Sequence, residues 1–362
     1  MTTAVIALTG QGLLTAKRVM EWLTLQGKGS VHIYLPEKLS GLAEVGPEEE
    51  IIFYQGPLGE ELAKIFQQYR VLICIMALGI VVRIIGPLAV NKGEDPAVVV
   101  MDEKSQFAIS VLSGHLGGAN ELTGQLAEAL GATAVVTTAT DVQGKRAIDA
   151  LARQWDMAIE PLAVIKAVNG ALLENKEIPV YYEGELPEAL PEPYRARPFN
   201  TGEDQAELTP MVYITNKVIL SSGEGNLFLR PKNLVVGVGC RRGCPVTRVK
   251  GAIQEVLTGA GLSLKSIRAL ATVEIKRDEE AITEAARQLG VEVKYFSTEA
   301  INDFWVQAEE ANIPLIYSDF VKQQIGVSGV CEPTALMAWP GARLIVPKTN
   351  YQGVTVAVAE VS

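Results

Sequence analysis

A chain of 362 residues, 48% hydrophobic and 20% charged with 33 glycines, has the make-up of a folded protein with many tight turns and excludes wholesale disorder. It is too long for one ordinary core, so two or three domains are expected. A formal charge of −10 argues against a nucleic-acid partner, and any ligand rich in carboxylates would need a local basic patch to offset that field.

In chain order, an apolar strand from Thr3 to Leu8 runs into Gly10-Gln11-Gly12, after which Leu13, Ala16, Val19, Met20 and Leu23 recur at helical spacing. Strands follow at Val31 to Leu35 and Ile51 to Tyr54, then a helix from Leu58 to Tyr69, a strand from Val71 to Met76 and a short helix near Ile80 to Ile85. This alternation predicts a parallel sheet wrapped by helices. The apolar run Val71 to Val82 is too short for a membrane helix of roughly 20 residues, so no membrane partner is expected. Nothing at the start has the form of a signal peptide, and four scattered cysteines make no disulfide framework; a cytoplasmic protein is expected.

Two β-branched runs, Pro96 to Asp102 and Phe107 to Leu112, flank a hairpin turn. Next come Ser113 to Asn120, a helix from Glu121 to Leu130, a strand from Ala134 to Thr138 and a helix from Val142 to Trp155. The rhythm weakens from about Pro161 to Lys232, where prolines crowd a Glu-rich stretch. It resumes at strand Leu234 to Val238, which opens Gly239-Cys240-Arg241-Arg242-Gly243-Cys244-Pro245. The expected fold class is α/β, with two three-layer α/β/α domains of mainly parallel sheets (residues 1–142 and 233–362) joined by a smaller mixed middle region (143–232).

The densest chemical signal is Ser113-Gly114-His115-Leu116-Gly117-Gly118-Ala119-Asn120. A strand feeding three glycines and then a helix leaves backbone N–H groups free to cradle an anion. His115 is one of two histidines, with Asn120 and Asp141 as candidate polar neighbours. The other, His32, lies in a strand and reads as a structural residue. Asp102 and Glu103 are a candidate acid–base pair or simply turn residues, and Arg83 is a candidate carboxylate clamp. Arg241, Arg242, Arg248 and Lys250 form the densest basic cluster. The glycines of Gly237 to Gly243 depart from dinucleotide spacing, Cys240 and Cys244 lack zinc-ribbon spacing, and no Gly-x-Ser-x-Gly or Walker loop is present.

Asp95 to Glu103, Ser113 to Asn120, Thr137-Thr138-Ala139-Thr140-Asp141, Gly239-Cys240-Arg241-Arg242, Glu332-Pro333 and Val346-Pro347-Lys348, in that order, resemble the CbiG family of cobalt-precorrin-5A hydrolases over nearly the whole chain. Leu78 stands where that family usually has a small polar residue. The resemblance implies hydrolysis of a δ-lactone on a cobalt-bound tetrapyrrole and release of acetaldehyde, with cobalt carried by the substrate and no cofactor of the protein's own. In that reading His115 is the general base, oriented by Asp102 or Asp141. Gly117 and Gly118 N–H groups meet the oxyanion, and Ser113, Gly114 and Asn120 complete the loop. Arg83, Arg241 and Arg242 hold carboxylates. A homodimer and transient handover to other cobalamin-pathway enzymes are the remaining partner expectations. The competing reading is a carrier that binds corrinoid intermediates without transforming them.

Overall fold

The computed structural model describes residues 2–42, 50–90, 93–199, 210–219 and 225–361. They form two compact units, one of residues 1–154 and 165–177, the other of residues 155–164 and 178–362.

The first unit contains strands β1 (Thr3–Ala7), β2 (Val31–Pro36), β3 (Glu50–Tyr54), β4 (Val71–Ile75), β5 (Ala97–Met101), β6 (Phe107–Leu112) and β7 (Thr133–Val135). Its helices are α1 (Gly10–Leu25), α2 (Leu58–Gln68), α3 (Leu78–Ile85), α4 (Ala119–Leu130), α5 (Ala139–Val142), α6 (Ile148–Gln154) and α7 (Ile165–Leu173). The sheet order is β3-β2-β1-β4-β5-β6-β7. Strands β1, β4 and β5 are buried at every residue, as expected for central strands covered on both faces, which is why they read as unbroken apolar runs. Leu13, Val19 and Leu23 of α1 share a core with Leu122 and Leu126 of α4 on one face, while Leu62 and Ile65 of α2 and Val81 and Ile85 of α3 fill the other. Strand β6 pairs antiparallel with β5, and β7 pairs parallel with β6. These two strands therefore run against β1 to β5, and their carboxyl ends emerge where those five begin.

The second unit holds two sheets. The first is built from β8 (Met157–Glu160), β9 (Ile178–Tyr182), β10 (Tyr194–Pro198), β11 (Met211–Ile214) and β12 (Asn226–Pro231) in the order β10-β9-β11-β12-β8. Tyr213 is fully buried, stacked between Tyr181 and Phe228 at 5.3 Å from each. Arg230 is buried too, and donates to Glu160 at 2.6 Å and to the Thr215 and Lys217 carbonyls at 3.0 and 2.6 Å, so its charge is paired. The segment read as a middle region thus supplies this sheet, while α6 and α7 from the same stretch belong to the first unit.

The other sheet is formed by β13 (Leu234–Gly239), β14 (Ile267–Val273), β15 (Glu292–Phe296), β16 (Arg343–Tyr351) and β17 (Val354–Glu360), in the order β15-β14-β13-β17-β16. Helices α8 (Val246–Gly259) and α9 (Glu280–Leu289) cover one face. Helices α10 (Thr298–Glu310), α11 (Asp319–Ile325) and α12 (Cys331–Met337) lie on the other side, where Ala335 and Leu336 of α12 pack on Val235 and Ala271. Helix α12 crosses β13 so closely that a Cβ on Gly237 would lie 1.8 Å from the Cys331 carbonyl oxygen. Gly237→Ala is therefore expected to destabilise the second unit by roughly 3 kcal/mol in a urea melt, because two backbones would have to separate. A wild-type midpoint would show that α12 is not seated this tightly.

Among the described residues no helix is long and apolar enough to cross a membrane.

Candidate functional site

The reversed direction of β6 decides what meets what in the first unit. Beyond its end, Ser113 takes φ 54° and donates from Oγ to the Asp95 carbonyl at 2.9 Å, which ties the loop to the entrance of β5. The carbonyls of Ser113 and Gly114 accept from Ala119 N and Asn120 N at 3.2 and 3.0 Å, so the loop caps α4 with its own backbone. Gly118 has φ 85°, and a Cβ there would fall 2.1 Å from the Arg153 guanidinium carbon; one on Gly114 would fall 2.6 Å from Asn120 Oδ1. The glycines are steric requirements of a tightly wound loop.

At the end of β7, Thr138 to Asp141 turn into α5 beside this loop. Asn120 joins the two, accepting from Ser110 Oγ at 2.7 Å and donating to Thr138 Oγ1 at 2.7 Å and to Asp141 Oδ2 at 3.1 Å. The His115 imidazole lies behind Asp141, with Nε2 2.7 Å from Asp141 Oδ2 and 3.2 Å from Thr140 Oγ1. Its Nδ1 is 3.3 Å from Asp149 Oδ1, and that oxygen also accepts from Asn169 Nδ2 at 3.0 Å. Asn169 is itself oriented by the Ile148 N–H at 3.0 Å. The three ionisable side chains form a graded row: Asp141 is 38% exposed, His115 12% and Asp149 10%.

Electrostatics follow from this row. Burial works against charge on the imidazole, but the hydrogen bonds and charges of Asp149 and Asp141 outweigh it and lift His115 to about 9. Burial would likewise raise the two carboxyls, yet the hydrogen bond and charge of His115, joined by Thr138 and Asn120 at Asp141 and by Asn169 at Asp149, together hold both below the usual carboxylate range. At neutral pH the row is carboxylate, imidazolium, carboxylate. His115 is accordingly a loaded proton donor there, whereas the sequence reading casts it as the general base.

The raised imidazole also ties stability to pH. Its contribution is complete below the ordinary histidine value of 6.5 and is lost as pH rises through about 9. The carboxylates act in the opposite sense, their contribution disappearing as pH falls through their depressed values. Thermal melts of the first unit are expected to decline between pH 6.5 and 9, and His115→Gln should flatten that decline; an unchanged slope in the variant would contradict the pairing.

Asp102 does not orient His115. Its carboxylate accepts from Lys104 N at 2.9 Å and Phe107 N at 2.7 Å, closing the β5–β6 hairpin. It therefore sits at the opposite end of β5 from the loop, roughly 15 Å away for a five-residue strand. Arg83 is exposed on α3, on the face that carries α2 rather than α4, and does not join the His115 row. His32 is structural, as read from the sequence: its ring nitrogens meet Tyr69 and Glu50.

In the second unit the turn after β13 is held by the buried carboxylate of Glu279, which accepts from Gly243 N at 3.1 Å. Arg242 pairs with Asp278 at 3.1 Å, whereas the exposed Arg241 guanidinium lies 5.9 Å from the Phe320 ring centre.

Three family models match in succession: cobalamin synthesis G N-terminal over residues 60–141, cobalamin biosynthesis central region over 146–231, and cobalamin synthesis G C-terminus over 234–359. A cobalt-precorrin-5A hydrolase of Priestia megaterium is 35% identical over 87% of this chain and 86% of its own length. One from Salmonella typhimurium is 33% identical over 98% of this chain and 96% of its own. The chain belongs to the CbiG family. The C-terminal part alone is similar to Protein CobE of Sinorhizobium, 30% identical over 35% of this chain and 79% of that protein.

In this CbiG-family chain the row of ionisable groups crosses a module boundary. His115 and Asp141 fall in the N-terminal model, whereas Asp149 and Asn169 fall in the central one, and all four belong to one compact unit. Sequence reasoning missed Asp149, Thr140 and Asn169. A signal for Asp149 exists: it is the one charge among Ala147, Ile148, Leu151 and Ala152, all buried, and a carboxylate on such a face needs a buried partner.

Proposed function

We propose that this chain is a cobalt-precorrin-5A hydrolase that adds water across the δ-lactone of a cobalt-bound tetrapyrrole and releases acetaldehyde, giving cobalt-precorrin-5B. The three consecutive family models and the full-length curated relatives support the reaction. The row Asp141–His115–Asp149 carries the assignment of the site.

The chemistry calls for one proton to be given and later taken back. Water attacks the lactone carbonyl and releases its two protons to solvent as the carboxylate forms, while N–H groups of the Gly117–Gly118 turn stabilise the oxyanion that develops. As the intermediate collapses, the carbon–oxygen bond of the ring breaks and the departing alkoxide takes a proton from the loaded row through Asp141, its most exposed member. His115 is left neutral. It then takes the proton of the new hydroxyl back through Asp141, the carbon–carbon bond breaks, the aldehyde carbonyl forms, and the electron pair passes to the macrocycle. The row ends as it began, so one device serves both bond changes. Cobalt enters with the substrate, and neither change needs a redox partner. Four free cysteines are in keeping with action in the cytoplasm.

The test is incubation of the purified protein with cobalt-precorrin-5A, following acetaldehyde and loss of the lactone together. Equal amounts of both are expected. Binding of the substrate with no aldehyde would establish a carrier instead.

A further inference from the structure

In the second unit, α10 and the segment from Asn312 to Ser328 enclose an open cavity of about 700 Å³, lined by Asn302, Trp305, Val306, Tyr317, Lys322 and Ser328 among others. That volume suits a large cofactor-sized ligand, since such sites span roughly 300–1,000 Å³. Its wall is aromatic and fixed. The Trp305 and Tyr317 rings meet edge to face at 6.3 Å, and Trp305 Nε1 donates to the Gly329 carbonyl at 3.3 Å.

This segment also exposes more apolar surface than a solvated loop needs. Ile316, Tyr317 and Phe320 are 45%, 47% and 58% exposed, and Val306 of α10 is 59% exposed. Cations stand beside the rings: Lys322 Nζ is 5.3 Å from the Tyr317 centroid and the Arg241 guanidinium 5.9 Å from that of Phe320. These two cations stand against one carboxylate of the cavity lining, Glu309, in a protein of net charge −10. The segment is held by Glu332, a carboxylate only 1% exposed, which accepts from Ile316 N at 2.6 Å and Lys348 N at 2.8 Å. The Glu332-Pro333 and Val346-Pro347-Lys348 motifs thereby acquire a physical role, which is to fix the aromatic wall.

Flat, exposed rings flanked by cations match a flat macrocycle rimmed with carboxylates. We propose that this cavity, with Tyr317 and Phe320, receives one face of the polycarboxylated tetrapyrrole, and that Arg241 and Lys322 take its carboxylates. The proposal rests on the functional reading above.

Cobalt uroporphyrin, an octacarboxylated cobalt tetrapyrrole, is a suitable probe, titrated into the full chain while tryptophan fluorescence is followed. Phe320→Ala and the pair Arg241→Glu with Lys322→Glu should each weaken binding tenfold or more with an unchanged thermal melt, since these side chains are exposed. Glu332→Gln should weaken it as well by loosening the wall. Unchanged affinity in Phe320→Ala and the charge-reversed pair, or no binding by the wild type, would overturn the proposal. So would sedimentation showing that Phe320→Ala abolishes a dimer while leaving probe affinity intact. Acetaldehyde release measured in parallel separates the two readings. Wild-type kcat/KM in Phe320→Ala removes this site and leaves the hydrolase standing; loss of probe binding in the variants of a chain that releases no aldehyde removes the hydrolase and leaves the site.

Discussion

Replacing His115 with glutamine is expected to lower acetaldehyde release from cobalt-precorrin-5A by two or more orders of magnitude, the usual scale for losing an acid–base group. Glutamine can donate its amide N–H to only one of Asp141 and Asp149, which lie 2.7 and 3.3 Å from the imidazole nitrogens, and it neither stores nor accepts a proton. Substrate affinity should change far less than turnover, because Asp141 rather than His115 is the exposed member of the row. Turnover near the wild-type rate in a folded His115→Gln protein would remove His115 from the mechanism.

Asp149→Ala should act on both stability and activity. Removing Asp149 leaves His115 paired with Asp141 alone and strands the Asn169 amide donor, a loss on the scale of an unsatisfied buried polar group, about 1–3 kcal/mol. The His115 and Asp149 side chains are nearly buried, so solvent screens little of that loss. The imidazole would also titrate at lower pH, since Asp149 is the largest of the influences that raise it. The alkaline limb of the pH–rate profile should therefore move toward neutrality, a change that damage to folding alone would not produce. A profile that keeps its shape would show that the proton is held elsewhere.

The layered α/β plan was legible because the central strands are apolar at every residue and the helices alternate with them in order. The glycine loop, Asn120 and Asp141 were legible too, as polar residues following strand ends. The β5–β6 hairpin was legible as well, but its consequence for the site shows only in the folded sheet. Asp102 and His115 are both at strand ends, but β5 and β6 run antiparallel, so the same description places them at opposite edges of the sheet. Asp149 was hidden for a different reason. The stretch from Val142 to Trp155 reads as one helix, whereas Gly144 at φ 65° ends α5 and the chain turns before α6 begins at Ile148. That break lets α6 bring Asp149 beneath His115, an arrangement that apolar periodicity does not encode. The buried link from Glu332 to Ile316 and Lys348 likewise spans sixteen residues in each direction, and only the folded chain shows its purpose.

With two histidines in the chain, a proton and nitrogen NMR titration resolves His115 from His32 without mutagenesis. It probes the central claim directly, that the imidazole is held protonated between two carboxylates. The account predicts that His115 stays in the imidazolium form through neutrality and titrates near 9. A midpoint at or below the ordinary 6.5, with a single tautomer at pH 7.5, would contradict it.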